Sequence, residues 1–195
     1  LATIRKNYEV TVKRGKMTPA EVEKRMGLIT PTTKYEDFAS VDLAIEAVFE
    51  DMALKKKIFT ELLKTADVVC ENYKVGVLER LGFSYDVMKE INPRIVFCTI
   101  SGYGMTGPYA TMPSHGIAYD TWSGACKPAY DEDGFCYIPE HVGIGINAAP
   151  LFGGLAVLAG VLRARATGQG CFMDLAQSDA AAAFDWYRSE SHMAY

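Results

Sequence analysis

Cysteine is scarce and unpatterned in this sequence. The five, Cys70, Cys98, Cys126, Cys136 and Cys171, are odd in number and form no C-x-x-C pair. That excludes a disulfide scaffold and speaks against a metal site. Reduced thiols in a cytoplasmic protein are the expectation. Clustered positive charge is missing as well. The net charge is −4, and no Lys/Arg stripe of the kind that follows a phosphate backbone occurs, so no nucleic-acid partner is expected. The run Lys55–Lys56–Lys57 reads as a solvated helix face. No apolar run reaches the roughly 20 residues of a membrane span. The longest, Ala148–Leu162, is interrupted by Pro150 and the Gly153-Gly154 pair, ends at Arg163 and reads as a buried helix. No secretory leader pattern is visible, and a first residue of Leu1 suggests a piece of something longer.

What is present is ordinary for a soluble domain, with 49% apolar and 23% charged residues. Apolar spacing through Ile4, Tyr8 and Val12 predicts a helix over residues 1–15, closed at Gly15. Thr18-Pro19-Ala20-Glu21 predicts a helix start: a cap, a proline at the first helical position and a capping-box acid. Ile29–Thr33 and Val41–Phe49 read as strands, the second carrying Asp42 and Glu46. Ala53–Ala66 reads as an amphipathic helix.

Beyond it, Asp67–Glu71 and Arg94–Ser101 read as buried strands. The short helices Val75–Leu81 and Tyr85–Ile91 lie between them, and Asn92-Pro93 stops the second. His115–Gly124 reads as helical, and Lys127–Pro139 as a hairpin turning at Asp131–Gly134. The helix Ala148–Ala166, the strand Cys171–Ala176 and a helix from Ser178 follow. Strands alternating with helices predict an α/β fold, with Rossmann-like segments of parallel sheet.

Spacing alone says little about chemistry. Gly102-Tyr103-Gly104-Met105-Thr106-Gly107 fits G-x-G-x-x-G after a strand. Pro108 follows at once, however, and no helix opens to receive a pyrophosphate. The loop suits close backbone approach along a ligand cleft better. The histidines His115, His141 and His192 fit no triad or metal spacing, and position alone gives His115 a hydrogen-bonded structural role.

Two family resemblances run through the chain. Residues from about Thr3 to Glu61 (IRKNYEVTVKRGKMTPAEVEKRMGLITPTTKYEDFASVDLAIEAVFEDMALKKKIFTEL) resemble the NAD-binding domain of 3-hydroxyacyl-CoA dehydrogenase. The resemblance implies NAD-contacting positions at Val48, Phe49, Glu50 and Lys55. The family's glycine-rich turn and its catalytic His, Ser and Asn have no matching positions, so NAD is not expected to bind.

Residues from about 62 to 195 resemble the family III CoA-transferases, the group that includes formyl-CoA transferase, carnitine-CoA transferase and 2-methylacyl-CoA racemase. The blocks ENYKVGVLERLG, ISGYGMTGPY and SHGIAYDTWSGA, with the apolar helix ending in TGQG, carry it. This resemblance implies acyl-CoA and a carboxylic acid as substrates. It places coenzyme A against Asn72, Tyr73 and Lys74, with Arg80 at its phosphates, where a planar, permanently charged guanidinium is suited. Ser114, His115, Gly116 and Ile117 are then placed along the pantetheine, and His115 matches the base of the racemases.

The family's transferases use an Asp that attacks the acyl-CoA and carries the acyl group as a mixed anhydride. Counting from the flanking blocks puts that position at Ile146 or near Ala148, with Asn147 between. The window Gly145–Pro150 holds no acid, and Glu140 is too far back to align. Three functional readings follow. One is an acyl-CoA:carboxylate CoA-transferase without its nucleophile. The others are an NAD-dependent dehydrogenase fragment of fatty-acid β-oxidation, and a non-catalytic CoA-binding chain in a homo- or hetero-oligomer. The chain is expected to join two incomplete domains, 1–61 and 62–195, as a chimera, and to be marginally stable and inactive alone.

Overall fold

The computed structural model describes residues 1–45, 52–138 and 143–186. The chain divides into two compact units, Leu1–Ala47 and Val48–Tyr195.

In the first unit, α1 (Ala2–Lys13) and α2 (Pro19–Met26) form a helical pair. The expected start of α2 is present in full. The Thr18 hydroxyl accepts from the Glu21 amide at 3.3 Å, and the Glu21 carboxylate accepts from the Thr18 amide at 2.8 Å. Both bonds satisfy donors that the first helical turn leaves over. Between the helices, Gly15 adopts a φ of 68°, in the left-handed region open to glycine. Val22 is the buried residue of the pair.

The strand predicted at Ile29–Thr33 is absent. That stretch is irregular and leads into a single 3-10 turn, Tyr35–Phe38. Residues 41–45 are not a strand either, and Leu43 and Ile45 stand 76% and 81% exposed. The reason is a missing partner. An extended segment becomes a strand only when a neighbour takes up its amides and carbonyls, and no such neighbour exists among the described residues of this unit. Residues 46–49 of that predicted strand lie outside the described residues.

The second unit is α/β, as the alternation predicts. After α3 (Met52–Leu63), the strands β1 (Val68–Glu71), β2 (Val96–Ser101) and β5 (Cys171–Ala176) form a parallel sheet in the order β1-β2-β5. α4 (Val77–Arg80) and α5 (Tyr85–Ile91) connect β1 to β2. α6 (Gly116–Trp122), the small antiparallel hairpin β3 (Ala129–Tyr130) and β4 (Cys136–Tyr137), and the long α7 (Ile144–Thr167) connect β2 to β5. α8 (Gln177–Phe184) follows.

One face of the sheet builds the larger core. Phe97 and Ile95 pack with Leu63, Leu78, Phe83 and Met88 from the helices. Each such burial contributes about 1.5–3 kcal/mol. Asn92 ties this layer together. Its side-chain amide donates to the carbonyls of Leu63 at 3.1 Å and Ala66 at 2.9 Å, satisfying the free end of α3.

The other face receives α7 through its smallest residues. Gly145, Ala148, Ala149, Gly153, Gly160 and Ala164 are its buried positions. A Cβ on Gly153 would meet Ile100, Leu175 and Cys98, and one on Gly160 would stand 2.9 Å from Val96. This narrows the expectation of a buried helix to one face. Leu151, Leu155, Leu158 and Leu162, at 4-3-4 spacing, are 60–67% exposed. The sheet reaches only one side of the helix. The helix also runs beyond both predicted ends. By length and composition its 24 residues could cross a membrane, but its small-residue face packs on β2 and β5 as a core helix does.

Candidate functional site

Parallel strands deliver their carboxyl ends to one edge, where open α/β sheets hold ligands. At this edge β1 runs into Asn72, Tyr73 and Lys74, all exposed. The Tyr73 amide donates to the Glu71 carboxylate as the chain leaves the strand. Gly76, with a φ of 80°, starts α4, and the Arg80 guanidinium folds back to within 3.1 Å of the position a Cβ on Gly76 would take. Arg80 thereby lies beside Gly76 at the start of its own helix.

β2 delivers the glycine-rich loop. A Cβ on Gly102 would fall 1.9 Å from the Ser114 hydroxyl, so only glycine admits Ser114 against this strand end. The Gly102 carbonyl accepts from the Ser178 amide at 3.0 Å, tying the loop to α8. Further along, the Asp174 carboxylate accepts from the Met105 amide at 2.8 Å. The hydroxyl of Ser101 is buried and has no hydrogen-bond partner among the described residues. An unmet donor at a strand's carboxyl end is a feature a polar ligand can satisfy.

His115 caps α6. Its Nδ1 accepts from the Gly116 amide at 3.2 Å. The ring is exposed, as is Ile117 beside it. One turn on, Asp120 is fully buried, and its Oδ1 accepts from the Gly145 amide at 2.6 Å. This bond caps the start of α7 from another element. Gly145 is closely hemmed: a Cβ there would approach the Gln177 carbonyl and the Tyr119 ring at 2.8 Å each.

The next two residues are Ile146 and Asn147, both exposed on the first turn of α7. The Asn147 amide donates to the Gly143 carbonyl at 2.6 Å. Pro150 carries no N–H, so the Ile146 carbonyl receives no helical donor four residues on. A carbonyl, an alkyl side chain and an engaged amide therefore occupy this turn. None of them is an acylatable nucleophile.

The residues singled out from the sequence thus fall into groups. Ser114, His115 and Gly116 sit over the end of β2, and α6 carries them to the start of α7 and Asn147. Asn72, Tyr73, Lys74 and Arg80 gather at the end of β1. Val48, Phe49 and Glu50 lie outside the described residues, as do Glu140, His141 and His192, while Lys55 is half-buried on α3. Sequence reasoning missed Asp120. Its available signal was a single acid in a short helix directly after the aromatic Tyr119, where a solvated carboxylate has no reason to be.

The description of CoA-transferase family III matches residues 51–194. The chain belongs to this family. The description of the 3-hydroxyacyl-CoA dehydrogenase NAD-binding domain matches residues 1–70, so the two meet over α3 and the first residues of β1. Among curated relatives, an acetyl-CoA:oxalate CoA-transferase of Acetobacter aceti is 35% identical, over 66% of this chain and 33% of its own length. The beta subunit of a succinyl-CoA–L-malate CoA-transferase of Chloroflexus aurantiacus is 32% identical, over 62% of this chain and 30% of its own. A solved CAIB/BAIF family protein from Brucella suis superposes with a TM-score of 0.64 at 26% identity, covering 74% of this chain and 38% of that one. The chain therefore spans about a third of the length of these family relatives.

Proposed function

We propose that this chain carries the CoA-thioester-holding edge of an acyl-CoA:carboxylate CoA-transferase and lacks the carboxylate that takes the acyl group. The exposed Ile146 on the first turn of α7 carries this reading. Family resemblance calls for an Asp within this turn, at Ile146, at Asn147 or near Ala148, and neither an alkyl side chain nor a carboxamide can attack a thioester and leave from an anhydride.

On this reading Arg80 meets the CoA phosphates by charge-assisted hydrogen bonds, and Asn72, Tyr73 and Lys74 frame the same end. Ser114, His115, Gly116 and Ile117 border the pantetheine arm, which passes from the end of β1 toward α7. His115 reaches the thioester through its free Nε2, since Nδ1 is occupied by the Gly116 amide. The Asn147 amide is held by Gly143 and supplies polarity without nucleophilicity. A carboxylic acid such as those named for the relatives would be the acceptor once an acyl-carrying group is supplied.

NAD has no part in this reading.

Calorimetric titration of the chain with CoA tests the binding half. The expected result is saturable binding that weakens roughly tenfold or more in Arg80→Ala, the cost of a charge-assisted hydrogen bond. Absence of saturable binding in the folded chain overturns it. Transfer of labelled CoA from an acyl-CoA to a free acid tests the other half, and the expectation is no transfer above background.

A further inference from the structure

Two cysteines occupy matched positions in neighbouring strands. Cys70 of β1 is the register partner of Cys98 of β2. Adjacent strands lie about 4.8 Å apart, inside the roughly 4.4–6.8 Å between Cα atoms that a disulfide accepts. Register partners direct their side chains to the same face. Here it is the α7 face, since Cys98 Sγ lies 3.9 Å from the position of a Cβ on Gly153. The two thiols are near enough to be the first influence on each other's titration.

Their access differs. Cys70 is exposed and Cys98 is buried. One thiol meets solvent while the other is held beside it, shielded. No other cysteine is placed this way: Cys171 has Val96 as its register partner, and Cys136 pairs with Tyr130.

Their interaction also divides the charge. The Cys98 thiol beside it holds the Cys70 thiol down at about 7, against the opposing effect of burial. The same interaction, together with burial, pushes the Cys98 thiol well above its ordinary value. Near neutral pH Cys70 is the nucleophilic partner and Cys98 remains a thiol.

We propose that Cys70 and Cys98 form a peroxide-reactive dithiol, in which Cys70 is oxidised first and Cys98 closes a reversible disulfide between β1 and β2. The Cys70 thiolate attacks one oxygen of hydrogen peroxide, the O–O bond breaks, and hydroxide departs and takes up a proton as water, leaving Cys70 as the sulfenic acid. The Cys98 sulfur, giving up its proton, then attacks the Cys70 sulfur. The S–S bond forms, the S–O bond breaks, and water leaves. Two electrons pass from the thiols to peroxide, giving one disulfide and two waters in all.

With the Cys70 sulfur exposed, the bond stays open to attack by a thiol reductant, as in regulatory pairs rather than buried structural ones. The bridge closes two residues before Asn72, but its chemistry does not depend on what Asn72 binds.

The full chain is treated with stoichiometric hydrogen peroxide, remaining thiols are blocked with N-ethylmaleimide, and non-reduced peptides are mapped by mass spectrometry. The expected product is a Cys70–Cys98 linked peptide pair short of two hydrogens, which dithiothreitol returns to free thiols. In Cys98→Ser, dimedone traps Cys70 as its sulfenic acid adduct. Cys98→Ala repeats that readout should serine disturb the buried site. The proposal is overturned if Cys70 passes to sulfinic acid in the parent chain while Cys98 stays free, or if peroxide at this dose links Cys136 or another cysteine instead.

Discussion

Asp120 Oδ1 accepts from the Gly145 amide at 2.6 Å, and the acid is completely buried. A short helix thereby fixes the start of a long one at the turn where family chemistry would be centred. Asp120→Ala leaves a buried amide unpaired and removes a helix cap. Urea denaturation is expected to show a loss of about 2–3 kcal/mol. Asp120→Asn keeps an accepting oxygen and loses less than half of that. Equal losses in the two variants would show that the bond contributes nothing specific.

Two glycines separate backbone contact from open space. A Cβ on Gly170 would fall 1.8 Å from the Ile95 carbonyl oxygen, which belongs to rigid backbone at the start of β2. Gly154, on the exposed side of α7, meets nothing within 4 Å. Gly170→Ala is expected to lose more than about 2 kcal/mol, or to fail to fold. Gly154→Ala is expected to gain roughly 0.5–1 kcal/mol from helix propensity alone. Thermal melts of the two variants check both signs.

The α/β order of the second unit was legible because each strand is a short apolar run bounded by turn chemistry, as in Arg94–Ser101 before the glycine loop. The start of α2 was legible because its three signals lie within four residues, at Thr18, Pro19 and Glu21. The strands expected at Ile29–Thr33 and over residues 41–45 were misread for a physical reason. Apolar content proposes a strand, but only a neighbouring chain segment makes one. The burial of α7 was misread in the same way. Its Leu151–Leu162 face carries the pattern of a core without elements among the described residues to cover it. At the site, the groups at Asn72 and Ser114 could be read from motif blocks, whereas Asp120 depends on a contact across 25 residues that no local pattern encodes.

The exposed leucines of α7 add little to the stability of the isolated chain but promote its association. Leu155→Gln with Leu158→Gln is expected to change unfolding free energy by no more than about 0.5 kcal/mol per site. The same pair should lower ANS fluorescence and reduce light scattering on concentration. A large loss of stability would mean that this face is covered in solution.

Glu71 gives the fold a pH dependence of definite sign. Burial pushes its carboxyl above the usual carboxylate range, the Glu79 charge adds to this, and the Tyr73 amide opposes it. The native state therefore binds more protons than the unfolded chain between the two pKa values, and stability falls as pH rises through that window. Glu71→Gln removes this loss while keeping an acceptor for Tyr73. Urea midpoints are expected to favour Glu71→Gln at pH 7 and to converge with the parent chain below about pH 4, where both side chains are neutral. A constant gap across pH would contradict the assignment.

Equilibrium dialysis against radiolabelled acyl-CoA, followed by desalting in denaturant, reads both halves of the functional account in one sample. The account predicts label that is bound at equilibrium and wholly released on unfolding. Label that stays with the denatured chain, on Asp120 or any other carboxylate, would contradict it, and so would a folded chain that takes up no label at all.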